Sequence, residues 1–82
     1  LQKEGDVNAT QLVNGTSARV IKLSGTGTLA AKLAAMGIEP GTIILKKSNS
    51  FLRGPIVIEK GPVQIAVGYS MAQRIIVEPL DR

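Results

Sequence analysis

Eighty-two residues, 44% of them hydrophobic, fit one small globular domain; folding at this size buries only about 60 to 65% of the unfolded chain's surface, so the core is thin. That hydrophobicity excludes disorder, the lack of cysteine excludes a disulfide framework or thiolate site, and the lack of histidine removes the usual general base and the ordinary zinc ligand sets. Ten Lys and Arg against six Asp and Glu give a net charge of +4, but the charges are scattered, with Lys46-Lys47 the one adjacent basic pair, and they read as a solvated surface.

In chain order, residues 1–11 are polar and without sustained periodicity, which predicts a loosely held arm. Leu12 and Val13 before Asn14-Gly15 read as a short apolar tuck ending in a turn. Ala18 to Leu23 is a strand rich in β-branched residues, closed by Ser24-Gly25-Thr26-Gly27-Thr28, where threonine suits a helix cap. A helix follows over about residues 28–36: Leu29, Leu33 and Met36 stand at i, i+4 and i+7, alanines supply propensity, and Lys32 is the single charge. Gly37 then sits where a helix C-terminal glycine belongs, and Glu39-Pro40-Gly41 is a turn.

The chain re-enters a strand at Thr42 to Lys47. After the polar Ser48-Asn49-Ser50 and Phe51, Arg53 and Gly54-Pro55, strands Ile56 to Lys60 and Val63 to Val67 are joined as a hairpin by Gly61-Pro62. Ser70 suits the cap of one helical turn over about 70–74, and Ile75-Ile76-Val77 is a last strand stopped by Glu78-Pro79. About five short strands with one inserted helix predict a mainly β, SH3-like small barrel over residues 12–78, with 79–82 as a tail.

No residue pattern supports catalysis. Gly25-Thr26-Gly27-Thr28-Leu29-Ala30 matches a dinucleotide fingerprint formally, but some twenty residues on, where an acid should meet the ribose, stand Leu45, Lys46 and Lys47, and hairpins follow rather than βα units. Only weak oxygen-ligand candidates remain, such as Glu4 with Asp6, so neither cofactor nor dedicated metal site is expected. Phe51 and Tyr69 are the only aromatics, too few for the stacking platforms of single-strand binders or for a proline-peptide groove, which leaves a basic barrel using Lys46, Lys47 and Arg53 as a weak nucleic-acid reading. No apolar run nears the ~18 residues of a membrane span and no export signal is evident, so the expected location is the cytoplasm.

The run Lys32-Leu33-Ala34-Ala35-Met36-Gly37-Ile38-Glu39-Pro40-Gly41 resembles the (R/K)-L-x-x-(L/M)-G-(I/M)-x-P-G corner of the FeoA family. The strand before the helix, Gly54-Pro55 ahead of an Ile-Val-Ile strand, and Ile65-Ala66-Val67-Gly68 leading through Ala72 to Ile75-Ile76-Val77 follow the family's order, so the similarity spans about residues 12–78. It departs in having Lys32 where the family commonly has arginine, which loses bidentate hydrogen bonding there. The resemblance implies an SH3-like barrel with an inserted helix, acting as a small cytoplasmic accessory of ferrous iron transport on the FeoB-type permease; related domains form the C-terminal module of metal-dependent repressors, the alternative role. On this reading Leu29, Lys32, Leu33, Ala35 and Met36 contact the permease's cytoplasmic domain or another copy of the protein, while Gly37, Pro40 and Gly41 shape the corner.

Overall fold

Burial alternates along three of the strand segments, where Ala18 and Val20, Ile44 and Lys46, and Ile56 and Ile58 turn inward while their neighbours stay partly or fully exposed. In a computed structural model, which describes residues 5–25, 27–48 and 53–80, six strands form one antiparallel sheet: β1 (Val7–Asn8), β2 (Ser17–Leu23), β3 (Ile43–Ser48), β4 (Ile56–Lys60), β5 (Val63–Val67) and β6 (Ile75–Pro79). Their order is β1-β6-β2-β3-β4-β5. Strands β2 to β5 run as a meander, and β6 returns to the free side of β2. Helix α1 (Gly27–Ala35) is inserted between β2 and β3, and the single turn α2 (Tyr69–Ala72) lies between β5 and β6.

A six-stranded sheet lying flat would be only about 10 Å thick; the molecule instead measures 28 × 26 × 26 Å, because the twisted sheet coils round its own inner face. Ala18, Val20, Ile44, Ile56, Ile58, Val67, Ile75 and Val77 fill that interior, closed by Leu33 and Ile38 from α1 and its exit and by Ala72 from α2. This is the SH3-like, mainly β architecture with an inserted helix that the sequence predicts.

One bulge re-phases β2. Val20 faces Val77 and Lys22 faces Ile76, so Ile21 is an extra residue on the β2 side. Without it, Ala18 and Val20 would be followed inward by Lys22; with it, Lys22 stays exposed and Leu23 packs against the core.

Four expectations change. Residues 7–11 are not a loose arm: β1 pairs with β6, and Ala9–Gln11 forms a 3-10 turn whose Ala9 is fully buried. Asn8 closes that turn as a capping box, its side chain accepting from the Thr10 N–H at 2.9 Å while its own N–H donates to Gln11 Oε1 at 2.9 Å. α2 starts at Tyr69 after Gly68 with no side-chain cap bond, so Ser70 lies inside the turn rather than capping it. Pro79 does not stop β6 but belongs to it, facing Ala18. Leu12 is buried as expected whereas Val13 is 73% exposed. Glu4, Thr26, Phe51 and residues 81–82 lie outside the described residues.

Candidate functional site

Helix α1 divides into two faces. Leu33 is wholly buried, and Leu29 and Met36 pack half-buried against the core. Thr28, Ala31, Lys32 and Ala35, at i, i+3, i+4 and i+7, are exposed, with exposed Ala34 beside them. The five residues nominated as a contact patch are thereby separated. Lys32 and Ala35 share the outer face, and Leu29 and Met36 lie at the margin between helix and sheet. Leu33 is withdrawn from the patch: a thin core needs the i, i+4, i+7 stripe for itself, and the full burial of Leu33 stabilises the fold by about 1.5 to 3 kcal/mol.

The corner after α1 sets how that outer face is presented. Gly37, at φ 85°, donates its N–H to Ala34 O at 2.8 Å, and Ile38 donates to Leu33 O at 2.9 Å. These two bonds are a Schellman motif, completed by apolar contact between buried Leu33 and buried Ile38. The chain then reverses over Glu39 to Thr42, with Thr42 N–H donating to Glu39 O at 3.0 Å; Pro40 takes the first corner and Gly41, at φ 94°, the second. Gly41 N–H donates to Val20 O at 2.7 Å and Val20 N–H donates to Thr42 O at 2.8 Å, which ties the corner to β2.

Two cations that no local sequence signal associates with α1 flank it. A Cβ on residue 37 would stand 3.0 Å from Lys60 Nζ, so the Lys60 ammonium lies over the C-terminal end of the helix, where the helix dipole favours positive charge. At the other end Arg74 lies beside Gly25, its Nη1 3.8 Å from where a Cβ would be, and its carbonyl accepts the Ser24 N–H at 2.7 Å. Lys60 is contributed by the β4 hairpin and Arg74 by the turn before β6, 28 and 42 residues from Lys32, so only the coiled sheet brings them near. The outer face is a smooth, alanine-rich patch with Lys32 at its middle, and a cation stands at each end of the helix; its acidic neighbour in sequence is the exposed Glu39. Such a face suits a protein surface with shallow apolar relief and acidic side chains.

The basic residues considered for nucleic acid do not form one surface. Lys46 is fully buried, its ammonium donating to Thr10 O and Leu12 O at 2.9 Å each. Burial lowers its pKa from the ordinary 10.5. Lys47 sits 3.8 Å from Glu59 Oε2, and the Arg53 guanidinium lies 5.9 Å from the Tyr69 ring centroid. Among the described residues no three or more His, Cys, Asp or Glu come together, and no helix is long and apolar enough to cross a membrane.

The profile of the FeoA domain family matches residues 7–79. Among solved structures, an iron uptake regulatory protein, FeoA, shares 31% identity with a TM-score of 0.83, covering 92% of this chain and 97% of that one. The FeoA of Stenotrophomonas maltophilia, a prokaryotic SH3-domain protein crystallised with zinc, shares the fold at 21% identity and a TM-score of 0.75, over 88% of this chain and 89% of its own. A manganese-dependent transcriptional repressor also shares the fold, at 17% identity and a TM-score of 0.86, with 98% of this chain covering 45% of the repressor. No curated protein matches the sequence at a significant level.

Proposed function

We propose, since this chain belongs to the FeoA domain family of non-enzymatic accessory domains associated with ferrous iron transport, that it regulates the FeoB-type membrane permease by docking the outer face of α1 on the permease's cytoplasmic domain. The observation that carries this is the division of α1: Leu33 is spent on the core, while Ala31, Lys32, Ala34 and Ala35 remain uncovered between the Lys60 and Arg74 cations. Ferrous iron enters as the transporter's cargo, and no step of this reading requires the chain to bind it.

The docking energetics follow from the side chains. Alanines lose no rotamer freedom on being covered, so the patch can be desolvated at little entropic cost. Lys32, Lys60 and Arg74 add attraction to an acidic surface, expressed mainly in the association rate and its salt dependence. The reading as a repressor's C-terminal module rests on fold likeness alone; identity of 31% over nearly the full length of a FeoA protein supports the accessory role more directly.

Replacing Lys32 and Ala35 together by Glu reverses the charge at the centre of the patch without touching the core, since both side chains are exposed. Calorimetric binding to the permease's cytoplasmic domain is expected to disappear with the circular dichroism spectrum unchanged; wild-type affinity in the double variant would overturn the proposal.

A further inference from the structure

Asn14 and Gly15 are the one Asn-Gly pair in the sequence, and both are exposed. They stand at the centre of a turn that the Thr16 N–H closes on Val13 O at 3.0 Å, with Gly15 at φ 87° in the second central position, which a type II turn reserves for glycine. Among the described residues the Asn14 side chain has no hydrogen-bond partner, and beyond its chain neighbours no atom lies within 4 Å of where a Cβ on Gly15 would be. A free side-chain amide is thus followed by a backbone nitrogen that no side chain shields, the arrangement that makes asparagine chemically labile.

One restraint opposes the reaction. The Gly15 N–H donates to Lys46 O at 2.7 Å, and the Lys46 N–H donates back to Thr16 O at 3.0 Å. The ammonium of the same residue holds Thr10 O and Leu12 O. Residue 46 is therefore a clamp on both the turn and the N-terminal segment.

We infer that Asn14 is a site of spontaneous deamidation gated by this clamp, and that its isoaspartyl product loosens the N-terminal segment. The Gly15 nitrogen gives up its proton and attacks the Asn14 Cγ; the C–N bond of the side-chain amide breaks, and its nitrogen leaves as ammonia. The five-membered succinimide is then opened by water. Attack at Cγ restores the ordinary backbone with aspartate at 14, whereas attack at the main-chain carbonyl leaves the Gly15 nitrogen on Cγ and adds one carbon to the main chain. While Lys46 O holds the Gly15 N–H, the nitrogen keeps its proton and cannot turn to Cγ, so the reaction passes through the opened turn. In the isoaspartyl chain the lengthened turn cannot keep both the Thr16 to Val13 and the Gly15 to Lys46 bonds, and the loss falls where the segment carrying buried Ala9 and Leu12 is fastened.

No residue of α1 takes part, so the inference does not rest on the permease reading. Asn8 supplies an internal comparison: its side chain is engaged in the capping box, and the Cβ of Ala9 crowds the next nitrogen. The folded chain, and the same chain held unfolded in urea, are incubated at mildly alkaline pH and mapped by mass spectrometry. Asn14 is expected to exchange amide nitrogen for oxygen ahead of Asn8, about ten- to a hundredfold more slowly in the folded chain than in the unfolded one. Equal rates would overturn the gate; modification of Asn8 first, or a folded chain unchanged at Asn14 well beyond about a hundredfold the unfolded time, would overturn the site. The separated isoaspartyl chain is expected to lose about 4 to 8 °C in Tm, with faster amide exchange at Gly15 and Thr16. Asn14→Gln alters only an exposed side chain and forms the corresponding six-membered ring far more slowly, so aged under the same conditions it is expected to keep its Tm. An isoaspartyl chain with the wild-type Tm, or an aged Asn14→Gln chain that loses as much as the aged wild type, would overturn the loosening.

Discussion

Lys46 enters the core because residues 44 and 46 share the inward face of β3, as period-two alternation requires. In the sequence Lys46-Lys47 is one basic pair; on the strand its members point to opposite faces, one to two carbonyls and the other to Glu59. The buried ammonium has a positive consequence, since Thr10 O and Leu12 O would otherwise lack these partners where the N-terminal segment meets β3. It also predicts a pH dependence. The folded pKa lies below 10.5, so between the two values the unfolded chain binds more protons and stability rises with pH. The Lys46 contribution is therefore greatest above pH 10.5 and is lost as pH falls through its folded pKa. Denaturant midpoints measured from neutral pH to about pH 11 are expected to show this rise, and Lys46→Met is expected to flatten it. An identical slope in both proteins would show that other groups produce it.

At the scale of the element, α1 is bracketed by two glycines with opposite requirements. Gly37 must hold φ 85° to close the Schellman motif, and a Cβ there would also press on the flexible end of Lys60. Gly27, in the first turn, has no positive φ and open space where a Cβ would go. Gly37→Ala is expected to destabilise by about 1 to 2 kcal/mol, the cost of the left-handed conformation for a residue with a Cβ. Gly27→Ala is expected to stabilise by about 0.5 to 1 kcal/mol, because alanine lowers the entropy of the unfolded chain. In a domain this small those changes shift Tm by about 4 to 8 °C per kcal/mol, downward for the first and upward for the second. Equal shifts of one sign would contradict this account of the corner.

For the whole molecule, the decisive event is the return of β6 to pair with β2, which curls the meander into a closed interior and gives β1 an edge to bind. The N-terminal segment is thus a structural part of the core's lid: Ala9 and Leu12 are buried, and Asn8 caps the turn between them. Removing residues 1–8 takes away the β1 pairing and the cap, and the cap alone is worth about 1 kcal/mol. Calorimetry is expected to show a Tm several degrees lower for the shortened chain. An unchanged Tm would mean that the segment is the loose arm its polarity suggests.

Most of the local architecture is legible in the residues themselves. Gly37, Pro40 and Gly41 announce the corner because backbone geometry at those positions admits few residue types, and Gly61-Pro62 announces the hairpin for the same reason. The strands and α1 follow from periodicity, and the family from the order in which these features occur. Three things escape any local reading. The strand β1 has no pattern of its own and forms because β6 offers it an edge. The burial of Lys46 and Leu33 depends on which face of each element meets the interior. The cations around α1 come from distant segments and are assembled by the sheet. Propensity and turn chemistry act over a few residues and are written in the sequence, whereas burial, edge pairing and charge clustering are properties of contacts between segments, and only the assembled, coiled sheet creates those.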